Sequence, residues 1–433
     1  MSLALLLAAD QARAEFAPSE LVVRFRDGAP QREVQLPSGI GVRRAARALD
    51  RNPEIKWAAP NYIAHAAGQE WIPNDRGERS GSRGDWQLLQ WNFLPCGTGC
   101  DENPGQALEA FGGIDAPGAW RNLIDAGQPG AKGTKVAVID TGVAYRNRGK
   151  RFRRSPDLKR SQFAAGRDFV DHDKVPLDEN GHGTHVASTL AERTDNGKFV
   201  TGLAYRAKVI PVRALDAYGD GKSSDIAKGV RWAVRHGARV INLSLEFARS
   251  DVSSCADVPN LCEAIDFAHA KGVVVVSVAG NTGASAVSWP GHAPNVIAAG
   301  ATTIRGCLAD YSAFGRGLDL VAPGGGDDAP LAGPHCRPVA SGPGIVQLTL
   351  TNPSSGTFDR FGYPNYDGTS MASAHVAGAA ALVIASRRES LGRRPTPEEV
   401  EGRLELTARR DGGLDDANLY GAGLIDVAAA TEP

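Results

Sequence analysis

A short, uninterrupted apolar run in the first half of the chain constrains the fold most. Residues 135–142 read Lys-Val-Ala-Val-Ile-Asp-Thr-Gly, so apolar side chains lead directly to Asp140. Such a run is typical of a parallel strand that is buried on both faces. Residues 272–281, Gly-Val-Val-Val-Val-Ser-Val-Ala-Gly-Asn, repeat the pattern and end at Asn281. Open α/β sheets bind ligands outside the carboxyl ends of their strands. Both polar residues are therefore candidates for a site, and a capping or turn role is the alternative for each.

Strand and helix patterns alternate after residue 112. Residues 207–212 and 238–243 are predicted strands, and residues 226–236 between them are a predicted helix. Strand, helix and strand at this spacing predict parallel βαβ units. No Gly-x-Gly-x-x-Gly or P-loop sequence follows any of the predicted strands, so nucleotide binding has little support. The chain is predicted to be an α/β protein with a mostly parallel central sheet.

Two further segments supply the residue types of nucleophilic catalysis. Residues 180–188, Asn-Gly-His-Gly-Thr-His-Val-Ala-Ser, place His182 between two glycines at the start of a predicted helix, with His185 as a packing residue one turn later. Residues 367–378, Asp-Gly-Thr-Ser-Met-Ala-Ser-Ala-His-Val-Ala-Gly, place Ser370 at the start of a long apolar helix. Free N–H groups at a helix start stabilise negative charge. An imidazole can activate a serine hydroxyl, and a carboxylate can orient that imidazole. An ordinary helix N-cap is the alternative for Ser370.

These segments together resemble the subtilisin-like serine peptidases, or subtilases. The resemblance rests on the Asp-Thr-Gly, His-Gly-Thr-His-Val-Ala and Gly-Thr-Ser-Met-Ala sequences and extends over about residues 111–430. It implies a three-layer αβα sandwich and a serine endopeptidase that needs no cofactor for its chemistry. By resemblance, Asp140 would orient His182, which would act as general base and then general acid for Ser370. The side-chain amide of Asn281 would donate a hydrogen bond to the oxyanion.

The resemblance also implies a cleft in which substrate binds as an extended strand between two segments of the chain. The candidate substrate-binding residues are Gly219, Asp220, Gly221, Ser244, Leu245, Glu246, Ala279 and Gly280. This chain departs from the family pattern at Glu246, where glycine is usual, and at Ala374, where proline is usual. A carboxylate at position 246 would favour Lys or Arg in the substrate, and a solvated side chain without that role is the alternative.

The N-terminal part of the chain divides into three candidate segments before the catalytic domain at residues 111–433. Residues 1–14 combine a short apolar stretch with Ala-Arg-Ala, a pattern typical of a secretion signal, with a short helix as the alternative. Residues 15–66 predict a small α+β module that resembles a subtilase propeptide, although it has room for only one clear helix. Residues 67–110 predict a linker and N-terminal extension. Maturation cleavage is expected between residues 66 and 84, because exposed linkers concentrate proteolysis.

Charge and cysteine content limit the setting of the protein. The 433 residues include 48 Lys and Arg and 49 Asp and Glu, and a net charge of −1 implies no polyanionic partner. No stretch has the roughly 20 uninterrupted apolar residues of a membrane span. The six cysteines fall into the neighbouring pairs Cys96 and Cys100, Cys255 and Cys262, and Cys307 and Cys336. Disulfides between neighbours would suit a secreted protein, while other pairings or reduced thiols stay open.

Calcium is common in subtilases, where loop oxygens bind it. Asp195, in the Thr-Asp-Asn-Gly sequence that follows the His182 helix, is a candidate ligand, and a plain turn is the alternative. The expected partners are protein or peptide substrates and the chain's own propeptide, with neither nucleic acid nor membrane. One rival function is a subtilase fold that only binds peptides or processes itself. Another is an α/β-hydrolase esterase, which would need Gly-x-Ser-x-Gly and a histidine after the serine in the chain.

Overall fold

A computed structural model describes residues 16–27, 29–37, 40–62, 71–78, 81–96, 110–330, 336–338 and 341–432. The predicted signal segment at residues 1–14 lies outside the described residues, as do Cys100 and parts of the predicted linker. The chain divides into two compact units, Met1–Gln69 and Glu70–Pro433. Each unit is described by itself.

In its described residues, the first unit is a small antiparallel sheet with one helix. Strand β1 (Phe16–Phe25) pairs with β2 (Arg32–Gln35) on one side and with β3 (Ile55–Tyr62) on the other. Helix α1 (Val42–Leu49) packs against β1 and β3. The predicted strands and single helix are therefore present, and a propeptide role for this unit stays a prediction. The core of the unit contains Leu21, Val23, Val42, Ala46, Ile55 and Ala58.

The described residues of the second unit are built on a seven-stranded sheet. Its strands are β4 (Lys135–Asp140), β5 (Arg167–Asp168), β6 (Lys208–Arg213), β7 (Val240–Leu243), β8 (Val274–Val278), β9 (Ile297–Thr302) and β10 (Leu320–Pro323). They lie in the order β10-β9-β8-β7-β4-β6-β5, and every pairing is parallel. This order confirms the predicted α/β class with a mostly parallel central sheet. The two apolar runs that led to the prediction form β4 and β8.

Helices cover both faces of this sheet. They are α2 (Ala116–Asp125), α3 (His182–Ala191), α4 (Ser223–Arg235), α5 (Pro259–Ala270), α6 (Thr369–Ser390), α7 (Pro397–Thr407), α8 (Ala417–Tyr420) and α9 (Val427–Thr431). Alternate residues of β4 show the three layers, because successive strand side chains point to opposite faces. Val136 and Val138 belong to the core that contains residues of α2, α3 and α6. Ala137 and Ile139 belong to the core that contains residues of α4 and α5.

Helix α6 occupies the centre of one layer. It contacts strands β7, β8, β9 and β10. Within the described residues it is the one helix long and apolar enough to cross a membrane, and 94% of its apolar window is buried inside the protein. A helix that is apolar all round is expected in the core of a large domain. The first residues of α6 are therefore held by a rigid core element.

Two short ribbons bring the chain to the start of α6. Strand β11 (Ile345–Val346) pairs with β14 (Asn365–Tyr366), and β12 (Thr349–Leu350) pairs with β13 (Phe361–Gly362).

Disulfides join Cys255 to Cys262 and Cys307 to Cys336. These two bonds confirm the predicted pairing at four of the six cysteines, while the predicted partner of Cys96 lies outside the described residues.

Candidate active site

Asp140 is the last residue of β4, between β6 and β7 in the middle of the sheet. Its side chain is fully buried, and its Oδ1 accepts a hydrogen bond from the N–H of Thr141 at 2.7 Å. The same oxygen lies 2.8 Å from Nδ1 of His182. The sheet therefore holds a carboxylate in a fixed position against one nitrogen of the imidazole.

His182 is the first residue of α3, as the sequence predicts. A side chain at Gly183 would collide with the carbonyl of Gly142, and its Cβ would lie 3.0 Å from Asp140 Oδ1, so glycine lets α3 approach Asp140 closely. Burial by itself would lower the pKa of His182, but the charge and hydrogen bond of Asp140, with the charge of Asp178, raise that pKa above its ordinary value. The side chain keeps 27% exposure, so the imidazole can act on a group outside the protein.

Asp178 organises the loop between Asp140 and His182, a role that the sequence does not predict. Its buried carboxylate accepts hydrogen bonds from Thr141 Oγ1, from the N–H groups of Asn180 and Gly181, and from both the N–H and the hydroxyl of Thr184. Burial raises the pKa of Asp178 in spite of these bonds. The carboxylate thereby fastens the start of α3 to the residue that follows Asp140. The chain around Asp178 carries no motif that would have indicated this role.

Ser370 lies in the first turn of α6 and is 8% exposed. Helices α3 and α6 pack against each other, and each carries its candidate catalytic residue at its N-terminal end. The carbonyl of Ser370 accepts hydrogen bonds from Oγ of Ser244 at 3.1 Å and from Oγ of Ser373 at 3.0 Å. Helix α6 runs without interruption through Ala374, at which the family usually has proline. The backbone at Ser370 is thus held from β7 and from its own helix.

Asn281 lies just beyond β8 and contacts the residue before Ser370. Its Oδ1 accepts hydrogen bonds from the N–H of Thr369 at 2.8 Å and from the hydroxyl of Thr369 at 2.9 Å. An N–H group can only donate, so the carboxamide oxygen must face Thr369. The amide NH₂ of Asn281 consequently points away from Thr369, at the start of α6. This orientation leaves a side-chain donor close to the N–H groups of the first helical turn, which have no partner within the helix.

The predicted substrate-binding residues lie in three segments of the chain. Gly219 and Asp220 belong to an exposed turn in which the N–H of Asp216 donates to the carbonyl of Asp220 and the N–H of Asp220 donates to Oδ1 of Asp216, and Gly221 follows it. Ser244 and Leu245 directly follow β7 and are buried. Ala279 and Gly280 follow β8, and the next residue is Asn281. Glu246 comes directly after Leu245, and its Oε1 accepts a hydrogen bond from the backbone N–H of Asn281 at 3.1 Å.

His185 and His375 are buried beside the candidate residues. Nε2 of His185 lies 3.0 Å from the carbonyl of Ile345, and its ring stacks on Tyr366. Nε2 of His375 lies 2.8 Å from Nδ2 of Asn92. Burial lowers the pKa of His185 to about 3 and that of His375 to about 4. Both imidazoles are therefore neutral packing groups at physiological pH, as the sequence predicts for His185.

Residues 74–75 and 157 meet the loop after α3, and the buried oxygens there suit a hard cation. Asp195 accepts from the N–H of Asn74 at 3.1 Å, and Asp75 accepts from the N–H groups of Asp195 and Asn196 at 2.7 and 3.0 Å. Nδ2 of Asn196 donates to Oδ1 of Asp157 at 2.8 Å. Asn74 Oδ1, Asp157 Oδ2 and Asn196 Oδ1 are buried without a hydrogen-bond partner among the described residues. Burial raises the pKa of Asp75 to about 7 and that of Asp157 well above its usual range.

A second acidic cluster lies next to β10, an edge strand of the seven-stranded sheet. Carboxylate oxygens of Asp319, Glu401 and Glu405 lie within 4.8 Å of one another. Burial, followed by the charges of Asp319 and Glu405, raises the pKa of Glu401 to about 7. Burial raises the pKa of Asp319 to about 6, although its carboxylate accepts from the N–H of Ala298 at 2.7 Å. None of these residues contacts the candidate catalytic groups, and the cluster bears on stability.

Comparisons with a family model, with known protein sequences and with a solved structure all find subtilisin-like proteases. The model of the subtilase family, peptidase S8, matches residues 131–423. The thermophilic serine proteinase of Bacillus sp. strain AK1 is 33% identical over 384 residues, which cover 88% of this chain and 74% of that protein. Subtilisin Savinase of Lederbergia lenta is 36% identical over 303 residues, which cover 69% of this chain and 91% of that protein. A solved protease structure from Pseudoalteromonas arctica PAMC 21717 superposes with a TM-score of 0.62 at 30% identity, covering 83% of this chain and 99% of that one.

Proposed function

The chain belongs to the subtilase family and is a serine-type endopeptidase, and on this premise we propose that it is a secreted enzyme made as a self-processing precursor. We assign the chemistry to Asp140, His182 and Ser370, with Asn281 as the oxyanion donor. The observation that carries the assignment is the hydrogen bond of 2.8 Å between His182 Nδ1 and the buried Asp140 carboxylate. That bond fixes which imidazole nitrogen remains available to a substrate.

In the first half of the reaction, Oγ of Ser370 attacks the carbonyl carbon of the scissile peptide bond. Nε2 of His182 takes the hydroxyl proton, and Asp140 stabilises the resulting imidazolium through Nδ1–H. The raised pKa of His182 supports this role, because the imidazole binds the proton more firmly than it would in water. His182 then gives the proton to the leaving amine as the C–N bond breaks, which leaves an acyl group on Ser370. In the second half, water attacks the acyl carbon while His182 takes a proton from it. His182 then returns that proton to Oγ of Ser370 as the ester C–O bond breaks, which releases the carboxylic acid and restores the serine.

Negative charge develops on the substrate carbonyl oxygen during each attack. The NH₂ group of Asn281 would donate to this oxygen, together with the backbone N–H of Ser370. The two hydrogen bonds from Thr369 to Asn281 Oδ1 support the proposal, because they turn the donor end of the carboxamide away from Thr369. A donor held in place before the reaction costs no reorganisation when the charge appears.

Protein or peptide substrates would bind as an extended strand beside Gly219, Asp220 and Gly221 on one side and Ser244 and Leu245 on the other. Main-chain hydrogen bonds would supply affinity, and side-chain pockets would supply preference. The contact between Ser244 Oγ and the carbonyl of Ser370 supports this placement, because it ties one wall of the cleft to the nucleophile.

Secretion and maturation are the finer parts of the proposal. The two disulfides support an oxidising, extracellular setting. The separate compact unit at Met1–Gln69 supports a propeptide that is removed by cleavage between residues 66 and 84. N-terminal sequencing of the secreted enzyme tests this part, and a mature protein that still begins upstream of Glu20 would contradict it.

We also propose a structural calcium ion where the loop after α3 meets Asn74 and Asp157. The unpartnered oxygens of Asn74, Asp157 and Asn196 are the hard ligands that calcium prefers, and Asp75 and Asp195 lie in the same hydrogen-bond network. The residues therefore fit the ion. A bound ion would offset the charge of the buried carboxylates and fasten the loop, with no part in the reaction at Ser370.

The decisive experiment uses a fluorophosphonate probe and casein. We expect the probe to label the wild-type enzyme at Ser370 and to block casein hydrolysis. Labelling is expected to disappear in Ser370→Ala and in His182→Ala. Ser386→Ala is the matched control, because Ser386 lies in α6 and donates to the carbonyl of Val383 away from the candidate site. Equal labelling of wild type and His182→Ala would refute the assigned base.

A further inference from the structure

Glu246 lies where three segments of the cleft meet. The first segment is residues 244–247 after β7, the second is residues 279–281 after β8, and the third is residues 287–290. Phe247 N–H donates to the carbonyl of Trp289 at 2.9 Å, and Ser288 N–H donates to the carbonyl of Ala279 at 2.7 Å. These bonds hold the three segments together. Through Oε1, Glu246 accepts from the N–H of Asn281, so its carboxylate lies over the peptide that joins Gly280 to Asn281.

Gly280 shows that a second polar side chain reaches the same place. Its φ of +116° is a conformation that favours glycine. A methyl group added at Gly280 would lie 2.7 Å from Oε2 of Glu246 and would collide with Oγ of Ser288. The carboxylate and the hydroxyl therefore approach the same face of Gly280. Ser288 is fully buried, and its Oγ has no hydrogen-bond partner among the described residues.

Glu246 has no ion-pair partner in the described part of the second unit. Among residues 71–432 that the structure describes, no Lys, Arg or His forms an ion pair with Glu246. Arg249, the nearest cation along the chain, instead donates to the carbonyl of Ala286 at 2.6 Å. An exposed glutamate on an open surface would be hydrated on all sides. This one has one oxygen committed to Asn281 and the other directed at Gly280 beside an unused hydroxyl.

We propose that Glu246 and Ser288 form the polar end of the primary substrate pocket and select Lys or Arg at the residue before the scissile bond. The proposal rests on the assignment of Asn281 as the oxyanion donor. The carbonyl that Asn281 binds belongs to the residue before the scissile bond, so the side chain of that residue begins next to residues 279–281. A long cationic side chain can follow the backbone of Gly280 and place its N–H donors on Glu246 Oε2 and Ser288 Oγ.

Selection would act in two ways. A Lys or Arg side chain gains charge-assisted hydrogen bonds from the carboxylate. A Leu or Phe side chain in the same place would remove water from Glu246 without replacing its hydrogen bonds, which is costly for a charged group. A binding site with a buried polar group strongly rejects a substrate that leaves this group without a hydrogen bond. An apolar pocket rejects a substrate of the wrong size less strongly.

The test compares five peptides that differ only at this position, with Lys, Arg, Leu, Phe or Ala. For the wild-type enzyme we expect kcat/KM to be at least about 10-fold higher for Lys and Arg than for Leu and Phe. Glu246→Gln keeps an oxygen that can accept from Asn281 and removes only the charge. This variant is expected to lose about 10- to 100-fold on the Lys peptide and little on the Leu peptide. Ser288→Ala is expected to lose about 5-fold on Lys. Asp251→Asn removes an exposed carboxylate nearby in the chain and is expected to change neither rate.

Three outcomes would overturn the proposal. Preference for Ala would show that the Glu246 side chain fills the pocket, and equal rates on all five peptides would show that it does not face the substrate. Equal losses on Lys and Leu peptides in Glu246→Gln would show that Glu246 acts only through Asn281. Fluorophosphonate labelling of the same preparations separates this proposal from the proposed function, because labelling persists when only the preference is wrong.

Binding measured without turnover provides a second readout. Benzamidine carries a planar cation like that of arginine and can be titrated into the Ser370→Ala variant, in which no cleavage occurs. We expect saturable binding that weakens at least about 10-fold when Glu246→Gln is added to Ser370→Ala. Binding unaffected by the loss of this carboxylate would overturn the proposal.

Discussion

Replacing Asp178 by asparagine tests whether the loop before His182 is held as the structure indicates. The carboxylate accepts five hydrogen bonds, three on Oδ1 and two on Oδ2. Asparagine has the same shape, but only one of its two terminal atoms can accept. Its oxygen is expected to take the place of Oδ1, which leaves its NH₂ group facing the N–H and the hydroxyl of Thr184.

The expected loss of stability depends on which hydrogen-bond partners of Asp178 can adjust to asparagine. The hydroxyl of Thr184 already accepts from the N–H of Ala144, and it can rotate to accept from the new NH₂ group as well. The N–H of Thr184 has no such freedom and becomes a buried donor without a partner, which costs about 1–3 kcal/mol. We therefore expect Asp178→Asn to lower the free energy of unfolding by about 2 kcal/mol.

The same substitution changes the pH dependence of activity. The charge of Asp178 helps to raise the pKa of His182, after the larger contributions of burial and Asp140. His182 acts as a base only when it is neutral, so activity rises with pH through its pKa. Without the charge of Asp178 this pKa falls, and the acidic limb of the kcat/KM profile is expected to move to lower pH.

Urea unfolding and a pH profile of kcat/KM on one peptide measure both effects. Asp257→Asn is the matched control, since Asp257 also accepts backbone N–H groups, from Ser253 and Ser254, but is exposed and away from the site. The control is expected to unfold at the wild-type midpoint. An Asp178→Asn variant with wild-type stability and an unshifted acidic limb would refute the role given to this carboxylate.

Three further predictions test other parts of the structure. Thr369→Val removes the hydroxyl that holds Asn281 Oδ1, so kcat is expected to fall about 5-fold at unchanged KM, whereas Thr369→Ser retains activity. A chelator should lower the thermal midpoint of unfolding, by the equivalent of about 3 kcal/mol if calcium was present at about 100 times its Kd. Asp157→Asn should abolish this response, and a wild-type midpoint that the chelator does not change would count against the ion. Glu401 has a pKa raised to about 7 in the folded state, so the folded state binds its proton more tightly than the unfolded chain and stability falls as pH rises from about 4.5 to about 7. Between pH 5 and pH 8, the free energy of unfolding of Glu401→Gln should therefore rise by about 1 kcal/mol relative to that of the wild type, a value reduced to allow for the partial exposure of Glu401. Urea unfolding measures this difference, and the same pH dependence in both proteins would contradict the prediction.

The local parts of the fold were predictable because neighbouring residues carry their signal. The apolar runs before Asp140 and Asn281 predict buried strands, and both form strands of the parallel sheet. Thr396 and Glu399 have the spacing of a capping box, and their side chains form one at the start of α7. Such patterns depend on residues a few positions apart, so tertiary packing did not need to be known.

Contacts between distant segments could not be predicted in this way. The sequence singled out Glu246 as a departure from the family pattern, but not that its carboxylate binds the backbone of Asn281 beside Ser288. It suggested Asp195 as a calcium ligand, while the buried oxygens without partners belong to Asn74, Asp157 and Asn196.

The sequence by itself determined the class of fold and the residue types available for catalysis, since period and motif are local properties of the chain. Only the tertiary structure decided which partners those residues have. Asp140 and His182 are 42 positions apart and share a hydrogen bond, because the parallel sheet brings the carboxyl end of β4 to the start of α3. The free energy of a buried charge or an oriented amide depends on such neighbours, and the chain acquires them only by folding.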